Sequence, residues 1–440
     1  MDDWLKASAS AVGRGIASGA VDPVVLADAY LDAIGRHPSG PDIYARTMAE
    51  RAKAEALAAK ARAAAGTRRH PLDGVPVSWK DLFDTAGTAT EAGSRLLEGR
   101  TPERDANVVF EAASRGVVSL GKTHMSELAF SGLGLNPVVG TPPNIHDPEA
   151  LPGGSSSGAA ASVAHGLAPL AIGSDTAGSV RIPAAWNDLV GLKTTHGLLP
   201  LDGVVPLSPR LDTVGPITKT VEDAALALSV MGGPAADLTD AGLKGARCLV
   251  LEGVATTELD PSVGSGFENT LARLAEAGAL LEHAALDLID EALALSAIVA
   301  PEAYAIWRET IEANPDVMFH QIRERFRGGA EMSAADYVAG WTRLDVLRRG
   351  YGAAVAGYDV VLLPTCPILP PKAATLLSDD AAYAKANLLA LRNTRIANIL
   401  GLCALTLPTG VPSVGVMAQM GPGRDANLLR FGAAAEQVLA

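Results

Sequence analysis

The sequence predicts an α/β fold built as a single large domain around one sheet covered by helices on both faces. Three observations predict it. Short apolar runs alternate with helix-period segments, no linker of Pro, Gly or Ser separates two halves, and no internal repeat is present. With 48% hydrophobic and 19% charged residues, the 440-residue chain can bury a sizeable core, and global disorder is excluded.

The elements follow from local pattern. Residues 46–65 (RTMAERAKAEALAAKARAAA) are dense in strong helix formers and predict a helix. Buried strands are predicted at 117–120 (VVSL), 168–172 (APLAI), 248–251 (CLVL), 359–363 (DVVLL) and 403–407 (CALTL), because each is a short apolar run. Between them, 263–277, 334–356 and 381–399 carry helical periodicity. Residues 65–225, rich in Gly, Ser, Thr and Pro, are expected to hold the chemistry. Residues 255–355 read as a helical lid or pocket wall.

Charge and cysteine usage narrow the function. A formal net charge of −13 argues against nucleic acid and anionic membrane as partners, since both select basic surfaces. Cys248, Cys366 and Cys403 lie far apart in apolar contexts without a C-x-x-C pair, which predicts free buried thiols and no metal site. The opening MDDWLKASAS lacks the basic and apolar regions of a signal peptide, and no uninterrupted apolar run reaches membrane-spanning length. A cytoplasmic protein is the expectation.

The segment GGSSSG at 153–158 raises the chemical question. A phosphate loop would end in G-K-[ST], but Ala159 follows Gly158. A nucleophile elbow, G-x-S-x-G centred on Ser156, needs a strand before it, and NIHDPEALP is not one. Two flanking stretches offer a better account. Downstream, GSDTAGSVRIP (173–183) places Ser179 after small residues whose N–H groups, at Thr176, Ala177, Gly178 and Ser179, can converge as an oxyanion hole. Upstream, PVSWKDLFDTAGT sets Lys80 among apolar neighbours, where burial can remove its proton.

On these motifs the chain resembles the amidase signature family of serine hydrolases. GVPVSWKDLFDTAG, GGSSSG and GSDTAGSVRIPAAWNDLVGLKTTHG occur in order, with 75 residues from Lys80 to Ser155 and 24 from Ser155 to Ser179. The likeness continues through TVGPITKTVEDAA and ANILGLCALTLPTGVPSVGV and is weakest from about 235 to 355. The resemblance implies a mixed, twisted sheet and a catalytic set of Ser179 as nucleophile, Ser155 as relay held by a cis peptide bond, and Lys80 as terminal base. It implies no cofactor and no metal. A serine hydroxyl needs such a base, and a lysine neutral near pH 8 needs its pKa lowered by roughly 2–3 units.

Around this set, Asp175 and Arg181 read as a structural ion pair, and His124 and His196 as structural or pocket-lining. Met125, in the segment HMSELAFS, and Gly153 and Gly154 are expected to line the substrate pocket. The resemblance implies a small amide or carbamate as substrate, with at most a second copy of the chain as partner in a homodimer. Two alternatives lie within the family: urea-derivative hydrolysis, and the glutaminase subunit of a tRNA-dependent amidotransferase. The segment MSELAFSGLGLNP departs from the pattern expected of that subunit, which favours a stand-alone hydrolase. A catalytically dead binding protein is the alternative from another class, against which all three catalytic positions stand.

Overall fold

The structure is a computed structural model and describes residues 2–439. Eleven strands form one sheet: β1 (Tyr44–Thr47), β2 (Pro76–Lys80), β3 (Val118–Thr123), β4 (Leu170–Ser174), β5 (Val190–Lys193), β6 (Val214–Thr218), β7 (Arg247–Leu251), β8 (Leu280–Ala284), β9 (Val360–Pro364), β10 (Cys403–Pro408) and β11 (Gly415–Met420). Their spatial order is β1-β3-β2-β4-β6-β5-β10-β11-β9-β7-β8. The sheet is mixed: β2 runs parallel to β3 and β4, β7 parallel to β8 and β9, and the centre from β4 to β9 is antiparallel. Helices flank it, and one hydrophobic core runs from Ala9 to Leu439. No helix among the described residues is long and apolar enough to cross a membrane.

All five predicted strands form, and the helices expected at 46–65, 263–277, 334–356 and 381–399 occur as Ala49–Ala64, Pro261–Glu276, Ala334–Ala354 and Asp380–Leu400. The strands that local pattern misses have physical reasons to be missed. β6 reads VGPIT, and its glycine and proline are residues that strands disfavour. Gly215 belongs there because a Cβ would sit 1.9 Å from the Leu192 carbonyl oxygen of β5. The segment 255–355 also contains β8, so it is not wholly helical; β8 (LLEHA) is a largely exposed edge strand whose apolar run is broken by Glu282 and His283.

The sheet positions the chemistry through strand alternation. In β2, Ser78 and Lys80 face one side, where Ser78 Oγ lies 2.7 Å from Ser162 Oγ on the helix Ser157–Ala164. Val77 and Trp79 face the other, and Trp79 packs edge-on to Phe83. The helix approaches closely because it is made of small residues. A Cβ on Gly158 would lie 2.5 Å from the Ile43 carbonyl oxygen.

Replacing Gly215 by alanine is expected to cost about 1–3 kcal/mol or more, because backbone rather than a flexible side chain must yield. Chemical denaturation should show the loss as a lower midpoint.

Candidate active site

Lys80 ends β2 and Ser174 ends β4, its parallel neighbour. The site therefore forms beyond the carboxyl ends of parallel strands, where open α/β sheets place their ligands. Lys80 is fully buried, and its Nζ donates to Ser155 Oγ at 2.7 Å and to Ser174 Oγ at 2.8 Å. Burial pushes its pKa down to about 7, against the opposing pull of the Asp175 and Asp212 carboxylates.

Ser155 is buried, and the Gly154–Ser155 peptide is cis. The N–H of Ser156 donates to the Ser179 carbonyl at 3.1 Å, tying the two serine-bearing segments together. Ser156 Oγ donates to the Ser174 carbonyl at 3.2 Å. No strand precedes this segment, in line with the rejection of a nucleophile elbow. Ser179 lies in the turn between β4 and the helix Arg181–Trp186 and is 3% exposed.

Asp175 shapes that turn. Its carboxylate accepts from the N–H groups of Gly178 (2.8 Å) and Val180 (3.1 Å), from Arg181 Nη2 (2.9 Å) and Nε (3.0 Å), and from Asn398 Nδ2 (2.8 Å). Burial alone would raise its pKa, yet the Arg181 guanidinium and these donors hold the carboxyl well below the usual range. The expected ion pair is present, with both side chains fully buried.

This arrangement bears on the four N–H groups expected to form an oxyanion hole. The Gly178 N–H is committed to Asp175. The N–H groups of Thr176, Ala177 and Ser179 have no hydrogen-bond partner among the described residues and stay available. Gly178 has φ +133, and a Cβ there would meet Thr394 Oγ1 at 2.1 Å. Thr176 is fixed from the side by its hydroxyl, which donates to Asp212.

One cavity adjoins Ser179, and a larger one continues from it. The inner one, about 40 Å³, is lined by Thr176, Ala177, Ser179, Ser131, Arg325 and Arg395, among others. The outer one, about 540 Å³, shares Phe130, Arg325 and Arg395 with it and extends over Gln321, Glu324 and Tyr383. Met125 does not line either cavity: it is fully buried in the core, and it is Ala129, Phe130 and Ser131, later in the same segment, that reach the inner cavity. Gly153 and Gly154 also stand behind the wall; Gly153 packs against Pro183, and the Gly154 N–H donates to the Gly132 carbonyl. His124 Nε2 contacts the Pro41 carbonyl and His196 Nε2 that of Pro209, and neither histidine lines these cavities.

Several residues at the site escape a reading of the sequence. Ser174 shares Lys80 with Ser155. Glu127, with its pKa pushed up to about 7 by burial, accepts from Ser94 Oγ (2.7 Å) and from the Phe319 N–H (2.9 Å), linking the cavity wall to the helical segment. Arg325 and Arg395 carry no local signal of a site. Among the described residues, no cluster of three His, Cys, Asp or Glu is placed to hold a metal.

The chain belongs to the amidase family, whose model matches residues 26–429. A 2-amino-5-chloromuconic acid deaminase of Comamonas testosteroni is 36% identical over 399 residues, covering 86% of this chain and 84% of that protein. A glutamyl-tRNA(Gln) amidotransferase subunit of Symbiobacterium thermophilum is 31% identical over 474 residues, covering 98% and 96%. A crystal structure of an amidase superposes with a TM-score of 0.89 at 29% identity, over 99% of this chain and 100% of that one. The protein is an enzyme that hydrolyses amide C–N bonds.

Lys80 gives a prediction on stability. Its folded pKa, about 7, lies below the unfolded value of 10.5, so unfolding takes up a proton between them. The resulting destabilisation is fully present below pH 7 and fades as pH rises toward 10.5. Lys80→Met should therefore gain stability over wild type near pH 7, and the gain should shrink steadily toward pH 10 in denaturant titrations.

Proposed function

We propose that the enzyme hydrolyses its amide through an acyl intermediate on Ser179, with Ser155 relaying protons to Lys80. The observation that carries this reading is the 2.7 Å contact of a buried Lys80 with Ser155, beside a turn whose free N–H groups surround Ser179. A neutral amine can accept the Ser155 hydroxyl proton across that contact, while Ser155 takes the proton of Ser179 as its Oγ attacks the carbonyl carbon. Three backbone N–H groups, at Thr176, Ala177 and Ser179, receive the oxyanion; losing one such donor costs about 3–4 kcal/mol of barrier. When the C–N bond breaks, the proton returns from Lys80 through Ser155 to the leaving nitrogen. Water then attacks the Ser179 ester and releases the acid.

The helical segment from Leu288 to Glu331 supplies Ser296, Val299 and Arg325 to the cavity walls and would act as its cover. Three free, buried cysteines support a reducing, cytoplasmic setting. A second reading has support in the relatives: a chain similar over 98% of its length to an amidotransferase subunit could act as a glutaminase within a larger assembly. Turnover of simple amides by the isolated chain separates the two.

Peptide mapping after treatment with a serine-directed fluorophosphonate is the direct test. A single adduct on Ser179, slowed at least 100-fold in Lys80→Ala, is expected; an adduct on Ser156 would overturn the reading. Ser179→Ala should abolish turnover, whereas Ser156→Ala should lose less than tenfold. The pH profile of kcat/KM should rise through an apparent pKa near 7, since the base must be neutral. A rising limb that disappears in His124→Asn would contradict the assignment of Lys80.

A further inference from the structure

The chain is acidic overall, yet the cavity beside the nucleophile is cationic. Arg325 and Arg395 both line the inner cavity together with Ser179. Neither is ion-paired to a carboxylate among the described residues, unlike Arg46, Arg51, Arg62 and Arg181 elsewhere in the fold. Arg325 lies over the Phe130 ring at 4.5 Å. Arg395 Nη1 donates to Ser296 Oγ at 2.9 Å, and its buried Nε has no partner. Burial, and then the charge of Arg325, push the Arg395 guanidinium down to about 10.

The other titratable groups at the cavity do not neutralise the pair. Glu324 is engaged by Arg323 and Arg327, and the Tyr383 hydroxyl donates to Ser131. Two like charges are thus held together in a partly desolvated wall, where an anion between them would be bound by planar, charge-assisted donors. The nearness of Ser179 makes that anion part of the substrate, and the small inner cavity makes the substrate short.

We infer that Arg325 and Arg395 form a carboxylate subsite, and that the substrate is a small amide carrying a free carboxylate, such as the monoamide of a short dicarboxylic acid. The scissile carbonyl then meets Ser179 while the carboxylate is clamped by the two arginines, so this inference rests on the acyl-enzyme reading for orientation. Its product is a dicarboxylate, which the same clamp would hold.

Calorimetric titration with malonate, succinate, glutarate and adipate, with butyrate and inorganic phosphate alongside, tests the subsite without requiring turnover. One dicarboxylate should bind wild type with a sub-millimolar Kd. Binding should weaken at least tenfold in Arg395→Gln and in Arg325→Gln and less in Arg395→Lys, each with an unchanged circular dichroism spectrum. In turnover, the preference in kcat/KM for the matching monoamide over a neutral amide of equal length should fall at least tenfold in Arg395→Gln, chiefly through KM. The proposal is overturned if no dicarboxylate binds, if phosphate alone binds, or if affinity survives both substitutions. Arginine-dependent binding without hydrolysis of any monoamide or labelling of Ser179 would uphold the subsite and reject the acyl-enzyme reading.

Discussion

The buried pairing of Asp175 with Arg181 joins three parts of the molecule that are distant in sequence. Asp175 follows β4 and bonds to Thr213 beside β6, so it is fixed to the sheet. Its carboxylate takes two N–H groups of the next turn, and Arg181 closes that turn from the following helix. Arg181 also donates to the Thr394 carbonyl (2.8 Å) and Asn398 Oδ1 (2.6 Å), while Thr394 Oγ1 donates to the Ala177 carbonyl (2.7 Å). The turn bearing Ser179 and the helix carrying Arg395 are therefore set by one ion pair. Removing one partner would leave an uncompensated charge, a loss of about 3–5 kcal/mol.

A lowered lysine pKa does not by itself identify a base in this fold. Lys122 and Lys193 are also buried, and burial pushes each down to about 8. Lys193 Nζ, however, donates to two backbone carbonyls, of Thr194 and Leu402. Lys122 donates to the Phe83 carbonyl and to Thr90 Oγ1, a hydroxyl whose own proton goes to the Phe83 carbonyl (3.3 Å), and it stands 3.5 Å from Asp81. Carbonyls and carboxylates can only accept, so those two lysines are structural donors. Lys80 meets two hydroxyls, which can give a proton as well as take one. That contrast is what supports Lys80, rather than Lys122 or Lys193, as the proposed base.

The proposed catalytic groups and the cavity walls come from different stretches of chain. Lys80, Ser155 and Ser179 sit at strand ends and tight turns held by the sheet. The walls come from the Ala129–Ser131 segment, the helix His320–Arg327 and the helix Asp380–Leu400. Glu127 and the Tyr383–Ser131 hydrogen bond fasten these walls to one another. The walls can thus vary while Lys80, Ser155 and Ser179 stay fixed by the sheet.

Short-range pattern suffices for the α/β class and the five clearest strands, so these are legible in the sequence, and the ordered motifs single out Lys80 and Ser155, which the fold brings to 2.7 Å of each other. The strand β6 is not legible, since its Gly215 and Pro216 are residues that strands disfavour and sit here between close neighbours β4 and β5. The segment holding Met125 does reach the cavity, which is why its sequence points there. The three-dimensional path of the backbone turns Phe130 and Ser131 toward the cavity and Met125 away from it. Gly178 reads as a member of the expected oxyanion hole, and nothing local reveals that its N–H goes to Asp175. The arginine pair exists only in the tertiary structure. In sequence, Arg325 and Arg395 look like ordinary helix surface residues, and whether a guanidinium meets a carboxylate, a ring or another guanidinium depends on contacts between remote segments.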